Sequence, residues 1–124
     1  MAPIEQFARP RGWFITSWGV DKPGQIPDHA FTVGSSLQIG IVQGQVPACG
    51  LVWLNLTGQP CFMIDLPFRD EVLYAPDFAV SIAGLTVECD VKLEITNGSL
   101  QGTLNGNGVD GNTGTFAAGA NPGG

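Results

Sequence analysis

Residues 87–95 read VECDVKLEI, and this stretch decides the fold class. Apolar side chains occupy every odd position, and charged side chains occupy every even position. A repeat of two places alternate side chains on opposite faces of a β-strand, so one face is predicted to lie in a core and the other in water. The Asn97-Gly98 pair that follows favours a type I′ turn, so we expect the chain to return as a hairpin through residues 99–104.

Similar short patterns, bounded by Gly, Pro and Asn, continue in both directions along the chain. No window shows the repeat of 3.6 residues that marks an amphipathic helix. Gly34 and Gly40 are expected to mark bulges or close backbone contacts. The pattern predicts an all-β fold, a small antiparallel barrel or sandwich of about eight strands with irregular N- and C-terminal arms. Besides residues 87–95 and 99–104, the predicted strands are 13–20, 51–57, 61–66, 71–74, 78–82 and 115–118, and residues 30–42 are expected to form a strand or a bent pair.

The length of 124 residues indicates one domain, predicted over residues 12–118 between an N-terminal arm, 1–11, and a Gly-rich tail, 119–124. Pro3 and Pro10 disfavour a helix in the arm, so it is expected to run extended. Its apolar residues, Ile4 and Phe7, are the expected anchors on a neighbouring copy. The start of the chain has no basic segment followed by an apolar run, so we expect a cytoplasmic or virion protein without a secretory signal.

The charge balance argues against two classes of partner. The net charge is −6 with only five Lys and Arg, and these form no run, whereas nucleic-acid binding needs clustered basic residues. The apolar runs are too short to span a membrane, so no membrane partner is expected. Charged residues make up 13% of the chain, where about 25% is usual.

One long span carries no charge at all. From Ala30 to Ile64 there is no Asp, Glu, Lys or Arg. Strands that lack charges are usually covered on both faces. Either the interior of a barrel covers one face or a neighbouring subunit does, and the small size of the domain favours the subunit. Trp53 alternates with apolar neighbours, so it is expected to face outward beside Asn55, as an interface anchor or as a lid over a ligand pocket.

Three residues are candidates for catalysis should the protein be an enzyme: Asp65, His29 and Tyr74. Asp65 interrupts a run of large apolar residues, where burial would raise its pKa and suit it to general acid–base work. It could instead lie on a wetter face or pair with Arg69. The single histidine, His29, follows Asp28 in a Pro-flanked loop and forms either an acid–base dyad or a solvated pair.

The large amphipathic rings, Trp13, Trp18 and Tyr74, are the candidates for lining a ligand pocket. Trp13 and Trp18 have opposite parity on one predicted strand, so they point to opposite faces unless a bulge intervenes.

No metal or cofactor is expected. The three cysteines, Cys49, Cys61 and Cys89, lack metal-type spacing and are interpreted as reduced apolar residues. Residues 105–114 resemble a calcium loop in composition but lack its ligand spacing, so a flexible hairpin loop is predicted there.

Two functional hypotheses follow. The favoured one is a non-enzymatic structural protein that forms homo-oligomers or decorates a larger assembly through charge-poor β surfaces, by analogy with phage head-decoration, coat or tail proteins. The alternative is a small barrel that binds a hydrophobic small molecule, with or without a cyclisation or isomerisation carried by one buried acid such as Asp65.

Overall fold

The computed structural model describes residues 3–28, 31–42, 44, 48–56, 59–82 and 85–121; the side chains of residues 3, 53–56, 59–65, 78, 80–82 and 85 lie outside this description. The described chain begins with a 3-10 turn, Pro3–Gln6. No described helix is long and apolar enough to cross a membrane. The strands are β1 Trp13–Val20, β2 Ser36–Val42, β3 Cys49–Leu56, β4 Gln59–Arg69, β5 Val72–Ile82, β6 Leu85–Thr96, β7 Ser99–Gly106 and β8 Thr113–Ala120.

Each strand pairs antiparallel with the next in sequence, and β8 returns to β1, so the sheet closes into a barrel. This confirms the prediction of an all-β fold with about eight strands and selects the barrel over the sandwich. The closure is uneven. Among the described residues, β1 and β2 share two register pairs, and β4 and β5 share two, Phe68↔Leu73 and Arg69↔Val72. The register pairs divide the barrel into a three-stranded sheet, β2–β3–β4, and a five-stranded sheet, β5–β6–β7–β8–β1, while β4 and β5 lie beside each other over more of their length than their two register pairs.

The alternation over residues 87–95 is confirmed in the burial of β6. Val87, Cys89, Val91 and Leu93 are buried, Glu88 and Lys92 are exposed, and Ile95 at the end of the pattern is half-buried. The turn that follows has positive φ at both central residues, 52° at Asn97 and 79° at Gly98, as a type I′ turn requires.

The predicted strand over residues 30–42 is too long, because only Ser36–Val42 is a strand. Residues 31–35 instead lie beside β1, where the Ile15 N–H donates to Ser35 O at 2.9 Å and the Gly34 N–H donates to Ile15 O at 2.7 Å. Gly34 has a φ of 93°, but no described atom lies within 4 Å of a Cβ built on it, so the close contact expected there is absent. The register of β2 with β3 is regular through Gly40, so the bulge expected there is absent.

The predicted strands 71–74 and 78–82 form one strand, β5. A register shift between Ala75 and Phe78 absorbs Pro76 and Asp77, and Asp77 has a φ of 51°. Proline normally ends a strand, which is why the pattern divided this one, but a bulge accommodates it without breaking the pairing.

The barrel interior is packed with the chain's own side chains. Gly102 illustrates the fit, because a Cβ at this position would overlap with the ring of Phe116 on the neighbouring strand. Among the described residues, the buried core from the strands comprises Trp13, Ile15, Leu37, Ile39, Val52, Leu66, Leu73, Ala75, Val87, Cys89, Val91, Leu93, Leu100, Leu104, Phe116 and Ala118.

The N-terminal arm differs from its prediction. Pro3–Gln6 forms a 3-10 turn rather than an extended segment, and Ile4 and Phe7 are 7% and 1% exposed in the core of their own barrel. Phe7 packs edge-on against Phe68 with the ring centroids 6.1 Å apart, and its carbonyl accepts a 2.9 Å hydrogen bond from Trp13 Nε1. The extended course expected of the arm is wrong at Pro3–Gln6, because Ile4 and Phe7 find an apolar surface within their own barrel. Their contact with a neighbouring copy stays a prediction.

Candidate functional site

The end of the barrel opposite the arm is closed by residues 21–28 and 107–112, which Asn112 holds together. Asn112 is 3% exposed. Its Oδ1 accepts a 2.8 Å hydrogen bond from the Ile26 N–H, and its Nδ2 donates to Lys22 O at 2.8 Å and Ile26 O at 3.0 Å. The segment predicted as a flexible loop is instead anchored by a buried amide.

A second amide, Asn107, bridges two carboxylates at this end. Its Nδ2 donates to Asp77 Oδ1 at 2.8 Å and Asp90 Oδ1 at 3.1 Å, and the Asp77 N–H also donates to Asp90 Oδ1 at 2.9 Å. Within the described residues there is no group of three or more His, Cys, Asp or Glu placed to hold a metal ion. This cluster therefore fixes the bulge of β5 against β6 and offers no ligand set.

The three catalytic candidates do not form a described constellation. His29 lies outside the described residues, and so does the side chain of Asp65. The register pairs Asp65 with Leu51, whose side chain is half-exposed, while the next residue, Leu66, is 0% exposed. Tyr74 is 40% exposed, on the outside of β5 opposite Lys92.

The aromatic candidates do not converge on one pocket either. The register of β1 shifts between Ile15 and Ser17, and this bulge brings Trp13 and Trp18 to the same, inner side. Trp13 is buried near the arm, whereas Trp18 packs at the other end of β1 on Phe31, with the ring centroids 4.6 Å apart. Trp18 Nε1 donates to Asp28 O at 2.9 Å. Both indole N–H groups thus have backbone partners within the chain.

The described clefts lie at the surface of the barrel. Two adjoin the arm, with volumes of about 270 and 380 Å³, and a third, of about 520 Å³, runs along residues 20–28. A fourth, of about 600 Å³, lies between Pro10, Arg11, Gln38 and Asn121. All four clefts are open to solvent on one side.

Cys89 is a buried free thiol in the inner row of β6. Burial raises its pKa to about 11, and the adjacent Asp90 carboxylate adds to the effect. A thiol of this kind is protonated at neutral pH and packs as a small apolar residue.

The outward face of the three-stranded sheet is poor in charge and exposes apolar side chains. The register aligns three cross-strand rows, Gln38–Trp53–Met63, Gly40–Leu51–Asp65 and Val42–Cys49–Pro67. They are named the outward rows after their described side chains, which alternate along the strands with buried Ile39 and Val52. Asp65 is the single charged residue in these rows. Of the described outward side chains, Val42, Cys49 and Leu51 are apolar and half-exposed. The side chains of Trp53 and Asn55, the expected anchors, lie outside the described residues.

β4 pairs with β3 from Gln59 to Pro67 and, among the described residues, with β5 at Phe68 and Arg69. Over more of its length β4 runs beside β5 without further register pairs, so the wall of the barrel continues across this side. Comparisons of this chain with protein-family models, with curated proteins and with solved structures found no match.

Proposed function

We propose that this protein is a non-enzymatic structural subunit that self-assembles through the outward face of its three-stranded sheet. The observation that carries the proposal is the set of three outward rows, which hold one charge and expose Val42, Cys49 and Leu51. Exposed sheet faces normally carry charges, and uncharged apolar patches mark sites of protein association.

The net charge supports a contact at this face. Two copies that each carry a net charge of −6 repel one another over most approaches. The outward row of β6, with Glu88, Asp90, Lys92 and Glu94, would bring like charges together. The outward rows of β7, β8 and β1 also hold no charge, but they consist mostly of Ser, Thr, Gln, Asn, Gly and Ala, whereas the rows of the three-stranded sheet expose Val42, Cys49 and Leu51. A contact through these rows needs no basic partner.

The outward face of the three-stranded sheet is too small to form a stable interface by itself. Three strands at 4.8 Å spacing and seven residues at 3.4 Å give a patch of roughly 350 Å². A stable interface buries about 800 Å² on each partner. The contact must therefore extend beyond the face, or be repeated by the symmetry of an assembly. Small β-domains that serve as coat or decoration subunits of phages are an analogy at the level of the fold.

The test compares two lysine substitutions by sedimentation velocity on the full chain. Leu51→Lys places a charge in the middle outward row, and Thr115→Lys places the same charge at an exposed outward position of β8. We expect wild type and Thr115→Lys to sediment above the 13.0 kDa of one chain and Leu51→Lys to shift to a single chain. A single-chain mass for wild type, or equal masses for both variants, would contradict the proposal.

A further inference from the structure

We infer that Asn97, at the tip of the hairpin between β6 and β7, is a site of spontaneous covalent modification, where the side-chain amide is lost through a cyclic imide. In an Asn-Gly pair the backbone nitrogen of glycine can attack the asparagine side chain, because the glycine has no Cβ to hinder the approach. This modification is independent of self-association. The chain contains three such pairs: Asn97-Gly98, Asn105-Gly106 and Asn107-Gly108.

The reaction needs only water as a co-reactant. The Gly98 backbone nitrogen forms a bond to Asn97 Cγ and gives up its proton, and the side-chain nitrogen leaves as ammonia. Water then opens the imide at one of its two carbonyl carbons. Opening at the side-chain carbonyl gives aspartate, and opening at the backbone carbonyl gives isoaspartate, in which the main chain runs through the former side chain. Either product adds one carboxylate to the hairpin tip.

Hydrogen bonding, rather than exposure, distinguishes the three pairs. Asn97, Asn105 and Asn107 are all exposed, so water reaches each of them. The attack requires the asparagine side chain and the following backbone nitrogen to rotate towards each other. Every hydrogen bond that fixes either group must therefore break before the imide can form.

The Asn105-Gly106 pair is fixed on both sides of the reacting bond. Asn105 Oδ1 accepts a 2.6 Å hydrogen bond from Thr113 Oγ1. The Gly106 N–H donates to Asn112 O at 2.8 Å, beside the buried amide that holds the closed end together. Rotation at this pair would disturb the closed end of the barrel.

The Asn107-Gly108 pair is fixed in the same way. Asn107 Nδ2 donates to Asp77 Oδ1 at 2.8 Å and to Asp90 Oδ1 at 3.1 Å. The Gly108 N–H donates to Gln25 Oε1 at 3.0 Å. The leaving group and the attacking nitrogen are thus both held in place.

The Asn97-Gly98 pair lacks these restraints. Thr96 and Ser99 form the last register pair of the hairpin, so the Gly98 N–H lies beyond the ladder. Among the described residues, none accepts a hydrogen bond from the Gly98 N–H or from the Asn97 side chain. The attack must rotate Asn97 out of its turn conformation, with a φ of 52°, but this opens only the two-residue turn and leaves the strands paired.

The test is incubation of the folded full-length protein in mildly alkaline buffer, followed by peptide mapping with mass spectrometry. We expect Asn97 to lose its amide at least about tenfold faster than Asn105 and Asn107, the factor that corresponds to one or two further hydrogen bonds to break. In denaturant the three pairs should react at similar rates, because the folded contacts are gone. Equal rates in the folded protein, faster loss at Asn105 or Asn107, or no loss at Asn97 would overturn the inference.

Two variants test the cause of the difference. Gln25→Ala releases the Gly108 N–H and should speed the loss at Asn107 by about two- to tenfold, with Asn97 unchanged. Asn97→Gly keeps a type I′ turn as Gly-Gly and should remove most of the ammonia released by the folded protein, while circular dichroism shows an intact barrel. An unchanged rate at Asn107 in the first variant, or undiminished ammonia from the second, would contradict the assignment.

Discussion

The outward positions of β6 and of the three-stranded sheet differ far more than the inward positions of the same strands do. On β6 of the five-stranded sheet, outward positions hold Glu88, Asp90, Lys92 and Glu94, and Lys92 Nζ lies 3.8 Å from Glu94 Oε1 with both side chains over 40% exposed. On the three-stranded sheet, the outward rows hold a single charge. The inner rows of both sheets are packed with Val, Leu and Ile.

The comparison separates two roles. Inward side chains stabilise the fold, whereas the composition of outward side chains reflects whether that surface contacts water or another protein. Folding requires only that apolar inner side chains leave water. An outward strand position gains nothing for the fold by being apolar, so the half-exposed Val42, Cys49 and Leu51, in rows with a single charge, support the proposed covered surface. Substitutions in the inner row and the loops should therefore change the free energy of unfolding, while substitutions in the outward rows of β2–β4 should change the native mass.

Asn112→Ala should give the largest loss of stability, about 3–5 kcal/mol, because it leaves the Ile26 N–H and the carbonyls of Lys22 and Ile26 without their partner. Urea unfolding followed by fluorescence measures the loss. Asn121→Ala is the matched control, since it removes one exposed hydrogen bond to Arg11 O and should cost less than about 1 kcal/mol. Equal losses for the two variants would show that the closed loop end contributes little to the fold.

Gly102→Ala tests how tightly the inner row of the five-stranded sheet is packed. The added Cβ would overlap with the Phe116 ring, so we expect a loss of about 2–3 kcal/mol. Gly19→Ala is the control, because no atom lies within 4 Å of a Cβ at that exposed position, and its effect should stay within about 0.5 kcal/mol. Thermal unfolding of both variants provides the comparison, and similar midpoints would refute the packing described for Phe116.

Val91→Ala and Lys92→Ala compare neighbouring inward and outward positions of β6. Val91 is 2% exposed, so its truncation should cost about 1–3 kcal/mol by leaving a cavity. Lys92 is exposed and its ion pair with Glu94 is solvated, so its truncation should stay within about 0.5 kcal/mol. A larger loss for Lys92→Ala in chemical denaturation would reverse the assignment of faces.

Ionisation of the Cys89 thiol should give the smallest effect, a decrease in the free energy of unfolding at alkaline pH. Its pKa is raised from 9.0 to about 11 in the folded chain, so between these values the unfolded chain has lost the proton that the folded chain keeps. Stability is therefore complete below pH 9 and falls as pH rises toward 11, by about 1 kcal/mol at pH 10. Cys89→Ala should remove this part of the pH dependence, and an unchanged profile in denaturant titrations would contradict it.

The local parts of the fold could be predicted from the sequence, and the long-range parts could not. Residues 87–95 and the Asn97-Gly98 turn carry their own signals, so β6 and the hairpin to β7 agree with expectation. Closure of β1 on β8 depends on which distant edges meet, and no local pattern encodes that. The bulge that turns Trp18 inward is likewise set by this pairing.

Two features of the candidate sites were missed for identifiable reasons. The alternation of buried Gly114, Phe116 and Ala118 in β8 extends back to Asn112, so a period of two could have placed this amide inside. The burial of Asn112 was not predicted, because the Gly- and Asn-rich composition of residues 105–114 usually indicates a solvated loop. The extended course of the arm was predicted wrongly, because composition shows that Ile4 and Phe7 favour burial against an apolar surface but does not show which surface.

The central claim is that the three-stranded sheet is covered by other copies of this chain, and static light scattering of the wild-type protein tests it most directly. The account predicts a mass above 13.0 kDa that rises with protein concentration. It also predicts that about 0.5 M NaCl leaves this mass unchanged or increases it, because the contact is uncharged and salt screens the repulsion between acidic surfaces. A mass of 13.0 kDa at every protein and salt concentration would contradict the claim.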